Sequence, residues 1–153
     1  MPSLSEIASK SPCVCFHLRR AGRVVTQLYD SHLKPAGIRS PQFAMLRHIG
    51  AAGGAAIGEL GEALRLDRST ATRNVEALKR AGYVRLISGD GDRRKKILSL
   101  SDAGRAKLSE AIPLWKEAQD HILRELGEDG AENFLSILRD IAAIEVGRSE
   151  ENE

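Results

Sequence analysis

The sequence predicts a mainly α-helical fold with a small β-hairpin, and three observations predict it. Apolar residues recur at threes and fours through most of the chain, the spacing of one helix face. After Gly82 the spacing changes to two: Val84 and Leu86 alternate with Tyr83, Arg85 and Ile87, and later Leu98 and Leu100 alternate with Ile97 and Ser99. Between these runs lies Ser88-Gly-Asp-Gly-Asp92, whose Gly and Asp residues favour a turn.

The elements follow in order. Leu18, Ala21, Val25, Leu28 and His32 share a face, which predicts one long helix from about Pro12 to Leu33, ended by Pro35-Ala-Gly37. Ser40-Pro41 predicts a second start, with Ser as cap and Pro at the first helical position, where its missing N–H costs nothing. Phe43, Leu46 and Ile49 form its inner face, and Gly50 with Gly53-Gly54 is expected to stop it. A short third helix, about Ile57 to Leu64, turns inward through Ile57, Leu60 and Leu64. Asp67 can cap a fourth, from about Arg68 to Ala81, with Ala71, Val75 and Leu78 inward and Gly82 just past its end. After the hairpin, Ser101 caps a long helix to about Leu126. Its predicted face is Ile112, Trp115, Ala118, Ile122 and Leu126, and Pro113 should kink it. A last helix, about Asp129 to Val146, carries Phe134, Leu138, Ile141 and Glu145, flanked by Leu135, Ile137 and Ile144.

Three helices and a hairpin in the middle of the chain form a winged helix-turn-helix. The first and last helices are left with apolar faces and little to cover them, which a second copy of the chain could supply. The expected organisation is a flexible N-terminus at 1–11, an N-terminal dimerisation helix and second helix at 12–55, a winged helix-turn-helix lobe at 56–101, C-terminal dimerisation helices at 102–147 and an acidic tail at 148–153.

Composition sets the class. The chain has 153 residues, 42% hydrophobic and 29% charged, enough for one domain or two small lobes sharing a core. No run of about 18 apolar residues is present, so no membrane contact is expected. The N-terminus lacks the basic and apolar regions of a secretory signal, so the expected location is the cytoplasm. Cys13 and Cys15 are too close to staple a fold and are expected to stay thiols. No Gly-rich phosphate loop, nucleophile elbow or His-rich metal spacing is found, so the chain reads as no enzyme, with no cofactor and no metal. The net charge of +2 hides an uneven distribution. Residues 56–100 carry ten Lys and Arg against six Asp and Glu, whereas 101–153 carry six against thirteen. A basic front and an acidic tail suit a chain whose middle meets a polyanion.

In a helix-turn-helix, the N-terminal residues of the second helix reach base edges in the major groove. Here those are Arg68, Ser69, Thr70, Thr72 and Arg73, of types that bond bases or phosphates; a solvated helix face would look much the same. Arg93, Arg94, Lys95 and Lys96 crowd the tip of a short turn, where four like charges repel unless a polyanion is near. Such a wing can lay an arginine in the minor groove, where the potential is most negative, with Asp92 steadying one guanidinium. The expected partner is double-stranded DNA. The alternative is a winged helix used only for protein interaction, which has no need of the basic cluster.

Leu66-Asp-Arg-Ser-Thr-Ala-Thr-Arg-Asn-Val75, Leu78-Lys-Arg-Ala-Gly82 and the wing pattern Asp92-x-Arg94 with Leu100-Ser101 beyond resemble the MarR family of transcriptional regulators, from about Pro12 to Val146. Ser101 stands where the family more often has Thr. The resemblance implies that the terminal helices build a homodimer, that Arg94 enters the minor groove, that two recognition helices read a palindrome about one turn apart, and that the protein represses.

Two switches are implied. Cys15-Phe16-x-Leu18, with Tyr29 as a supporting tyrosine, is similar to the motif of the family's hydroperoxide sensors, but Arg19 and Ser40 stand where further tyrosines are expected. The plainer reading makes both cysteines small apolar fillers under the dimer interface. The other switch is a small aromatic or anionic effector between the dimer helices and the DNA-binding lobe, lined by His17, Arg20 and His32; these are equally the exposed polar positions of a long helix.

Overall fold

A computed structural model describes residues 1, 3, 13–89 and 92–145, with the backbone alone at 89 and 92–95. The expectations of a flexible N-terminus and an acidic tail fall largely outside the described residues. Helix α1 (Val14–Leu33) ends in a 3₁₀ turn (Lys34–Ala36) and is followed by α2 (Ser40–Ala52), α3 (Ile57–Ala63) and α4 (Arg68–Arg80). The hairpin is β1 (Val84–Gly89) and β2 (Asp92–Leu100), antiparallel, and the chain closes with α5 (Asp102–Leu126) and α6 (Glu128–Ala142). The fold divides into two compact units, 1–118 and 119–153.

The first unit is organised around one core. Leu33, Met45, Leu46, Ile49, Leu60, Val75, Leu78 and Leu98 are the largest side chains fully removed from water. Burying each such aliphatic side chain contributes about 1.5–3 kcal/mol. They come from α1, α2, α3, α4 and β2, so the helix-turn-helix and the hairpin share their apolar support. The hairpin is tied in further by Ala55, which exchanges two backbone hydrogen bonds with Leu98 (3.0 and 2.8 Å). Ser101 accepts the Gly104 amide on its hydroxyl at 3.0 Å, as a cap should, and donates that hydroxyl to the Gly82 carbonyl. Gly82 itself sits at φ +76°, the left-handed position that ends α4.

Three local expectations are corrected. Ser40 is not the cap of α2. Its amide is donated to Asp30 of α1 at 2.7 Å, and the preceding Arg39 amide to Gln42 in the helix's own first turn at 3.0 Å, so a carboxylate from α1 and an amide side chain of α2 do the capping. Gly50 does not stop α2, which runs to Ala52; it lets Leu100 and Leu108 approach the helix closely. In α5 the buried positions are Gly104, Ala111 and Ala118, spaced by heptads, with Trp115 and Ile122 half-buried as expected. Ile112, one position round, points out and is 46% exposed. The helix continues through Pro113 to Leu126.

Helix α1 is half-buried only in its second half, at Val25, Leu28, Tyr29, Asp30 and His32. Its first half is exposed throughout, including Val14 (67%) and Phe16 (59%), and so is Val24 (60%) just beyond it. In the second unit, α6 buries Ala131, half-buries Phe134, Leu138 and Ile141, and leaves Leu135 and Ile137 exposed, with Ile144 exposed just beyond its end. Both terminal helices thus keep apolar side chains in water, as the sequence pattern implies.

Candidate nucleic-acid interface

The turn between α3 and α4 sets the angle of the second helix. Its bend is at Arg65, whose φ of +52° is unusual for a residue with a side chain and costs roughly 1–2 kcal/mol. The Leu66 amide bonds back to the Gly61 carbonyl at 2.8 Å, which holds the bend. Asp67 then caps α4. One carboxylate oxygen accepts the Thr70 amide at 2.8 Å and the other the Thr70 hydroxyl at 2.6 Å. The Thr70 hydroxyl first, then its amide, and further off the Arg73 charge, hold the Asp67 carboxyl below the usual carboxylate range.

With Ala71, Val75 and Leu78 buried, the opposite face of α4 is fixed. Arg68, Ser69, Thr72 and Arg73 are exposed on it, and Arg80 continues it. Thr70 is half-buried, and its hydroxyl proton is committed to Asp67. It shapes the start of the helix more than it presents a free donor. The sequence spacing therefore brings four of the five helix residues onto one open surface.

The hairpin follows directly. Val84 pairs with Leu100, Leu86 with Leu98, and Ser88 with Lys96. The next pair is Gly89 with Asp92, so one step on β1 corresponds to four on β2. Arg93, Arg94 and Lys95 occupy the difference and stand outside the ladder, on the strand and not in the turn where the sequence suggested them. The side chains of Asp92, Arg93, Arg94 and Lys95 lie outside the described residues; Lys96 is exposed opposite Ser88.

A second feature lies apart from this surface. A cavity of about 530 Å³ is lined by Val25, Thr26 and Tyr29 of α1, by Ser40, Phe43, Ala44, Arg47, His48 and Ala51 of α2, and by Leu64 and Trp115. That volume suits a small organic molecule. The Phe43 and Trp115 rings stack with centroids 5.7 Å apart, and the Arg47 guanidinium lies over the indole at 4.9 Å. Burial pushes the Tyr29 hydroxyl pKa up. His17, Arg20 and His32, expected to line a ligand site, do not line this cavity. His17 and Arg20 lie on the exposed half of α1, and His32 Nδ1 is 3.6 Å from Glu117 Oε2. Sequence reasoning missed Arg47 and His48; the signal was Phe43 with Arg47 one turn later, a ring and a cation on one face.

The expected Cys15–Tyr29 partnership does not form within one chain. Fourteen residues of one helix separate them by about 21 Å. Cys13 caps α1, its sulfur accepting the Phe16 amide at 3.4 Å, and both cysteines are exposed in the single chain. Among the described residues no His, Cys, Asp or Glu cluster could hold a metal ion, and no helix is long and apolar enough to cross a membrane.

Comparisons with known proteins agree with this architecture. The family model described as MarR family matches residues 36–95, from the end of α1 through the basic segment of β2. The transcriptional repressor NicR of Pseudomonas putida is 30% identical over 122 residues, 80% of this chain and 77% of NicR. Among solved structures, the transcriptional regulator MosR of M. tuberculosis in complex with DNA superposes with a TM-score of 0.73 at 32% identity, covering 88% of this chain and 99% of that one. The repressor CouR of Rhodococcus jostii, bound to a 23-mer DNA duplex, superposes with a TM-score of 0.79 at 27% identity over 93% of this chain and 99% of that one. The chain belongs to the MarR family of winged-helix transcriptional regulators.

Proposed function

We propose that this regulator is a homodimeric repressor that grips a palindromic operator with two copies of α4 and the hairpin, and that a small aromatic anion in the α1–α2 cavity releases it. The observation that carries the DNA reading is the exposed α4 face, Arg68, Ser69, Thr72 and Arg73, followed by a strand with four consecutive basic residues. On this reading Arg68 and Arg73 fork onto bases or phosphates, Ser69 and Thr72 bond the backbone or base edges, and Thr70 seats the helix end. Arg93, Arg94 and Lys95 track the phosphates, with Arg94 in the minor groove and Asp92 beside it. The segment 56–101 is then the DNA-binding lobe, and 12–55 with 102–147 the dimerisation parts.

The uncovered apolar side chains of α1 and α6 support dimerisation. A dimer places the two α4 helices about 34–36 Å apart on one face of the duplex. The repressor role draws on NicR and CouR, both of which bear that description. The effector reading rests on the cavity, where the ring stack takes an aromatic ligand and Arg47 takes its negative group.

Selection of genomic fragments bound by the full-length protein, followed by mobility shifts at several salt concentrations, tests the DNA reading. The expected result is an inverted repeat bound as a dimer, with affinity falling steeply as salt rises. Absence of binding to any duplex at low salt overturns it.

A further inference from the structure

Beside the aromatic cavity runs an open trough of about 420 Å³, lined by Arg19, Gly22, Arg23, Thr26, Gln27, Asp30 and Arg39. Thr26 lines both hollows, so it forms the ridge between them. Arg19 and Arg23 are one turn apart on one face of α1, where like charges repel each other. Neither has an ion-pair partner among the described residues. Arg39 differs: Asp30 engages its Nε at 3.3 Å while also accepting the Ser40 amide. That anchors the third guanidinium and leaves its two terminal amino groups outside this ion pair. One carboxylate therefore faces three guanidinium groups, and the trough keeps a surplus of two positive charges.

We infer that the effector is an elongated molecule with an aromatic group in the cavity and a phosphate-like anion beyond Thr26, held by Arg19, Arg23 and Arg39. The inference rests on the reading of the cavity as an effector site and deepens it by naming a second subsite. A ring alone fills the Phe43–Trp115 side and leaves the trough untouched. A molecule with a short aliphatic spacer and a terminal phosphate reaches both, and guanidinium groups bond phosphate oxygens in pairs. Gly22, which carries no side chain, leaves the trough beside Arg19 and Arg23 open to such a group.

The test compares 3-phenylpropyl phosphate, 3-phenylpropan-1-ol and inorganic phosphate as calorimetric ligands of the full-length protein. Wild type is set beside the Arg19→Gln/Arg23→Gln double variant and Trp115→Leu. The expected result is that the phosphate ester binds wild type at least tenfold more tightly than the alcohol, and that this preference collapses in the double variant while alcohol affinity holds. Trp115→Leu should weaken both ring compounds. Equal binding of ester and alcohol, or a preference that survives the double variant, overturns the second subsite. If Trp115→Leu still weakens both in that case, the cavity reading stands without it. Binding of neither ring compound to wild type overturns both readings. Light scattering of the double variant closes the remaining route: a shift to monomer assigns the arginines to the partner copy and overturns the proposal.

Discussion

The Arg47 guanidinium lies 4.9 Å from the centroid of the Trp115 ring, so α2 and the middle of α5 meet through a cation and an indole. The contact joins the cavity's charge to its flattest wall. An aromatic carboxylate entering here meets both at once. Replacing Arg47 with Met keeps the length of the side chain and removes the charge. Affinity for a simple aromatic carboxylate should fall by about tenfold or more, the scale of one hydrogen bond to a charged group. Calorimetry checks this, with circular dichroism to show that the fold is kept.

The cap at Asp67 makes a pH prediction. Its carboxyl is held below its ordinary value of 3.8 by Thr70 and, more distantly, by Arg73. A lowered carboxylate adds stability that is present above the ordinary value and is lost as pH falls through the folded-state value. Asp67→Ala should therefore melt at a lower temperature than wild type at pH 6. The gap should narrow as pH drops below about 4 and the wild-type carboxyl protonates. Melting curves across that range decide it, and a constant gap contradicts the capping account.

The basic segment of β2 should act through charge. Arg94→Ala is expected to weaken operator binding and to lower the salt slope of log affinity by about one. Arg68→Ala should instead reduce discrimination between operator variants, by roughly 1–3 kcal/mol at the base it reads. Mobility-shift titrations over several salt concentrations separate the two behaviours.

Gly104 meets the backbone of Tyr83 so closely that a Cβ there would overlap the Tyr83 carbonyl. That carbonyl also accepts the Ser101 amide, so it cannot swing away without opening the base of the hairpin. Gly104→Ala should destabilise the protein by about 1–3 kcal/mol or more and loosen the wing. Denaturant unfolding gives the first number, and loss of amide protection in β2 shows the second.

Cys15→Ser should leave hydroperoxide sensitivity unchanged. Tyr29 is about 21 Å away along the same helix, so one chain offers the thiol no support from it. DNA release after stoichiometric peroxide, compared between wild type and variant, checks this; a response that disappears with the serine points to support from a second copy.

The helix-turn-helix and hairpin were legible because their signals are local. Asp67 precedes its helix by one residue, Ala71, Val75 and Leu78 follow the helical period, and Gly82 marks the change to the strand period. The cavity was not legible, because Tyr29, Phe43, Arg47 and Trp115 come from three helices and converge only in space. The cap of α2 was misread for the same reason: its carboxylate is Asp30, ten residues earlier. In α5 the expected face held at Trp115, Ala118 and Ile122, but Ala111 takes the buried position that the spacing gave to Ile112, and Leu126 is exposed. Arg65 gave no sign of its left-handed bend, where glycine would have announced it.

The slip in the hairpin ladder has an evolutionary consequence. Lys96 and everything after it stay locked to β1, while the three residues before it answer to no partner strand. Length and charge at 93–95 are thus free to drift without moving Leu98 or Leu100 in the core. On the proposed DNA reading, a regulator built this way is retuned for a new operator by changes confined to the wing, with the cost of each trial falling on affinity.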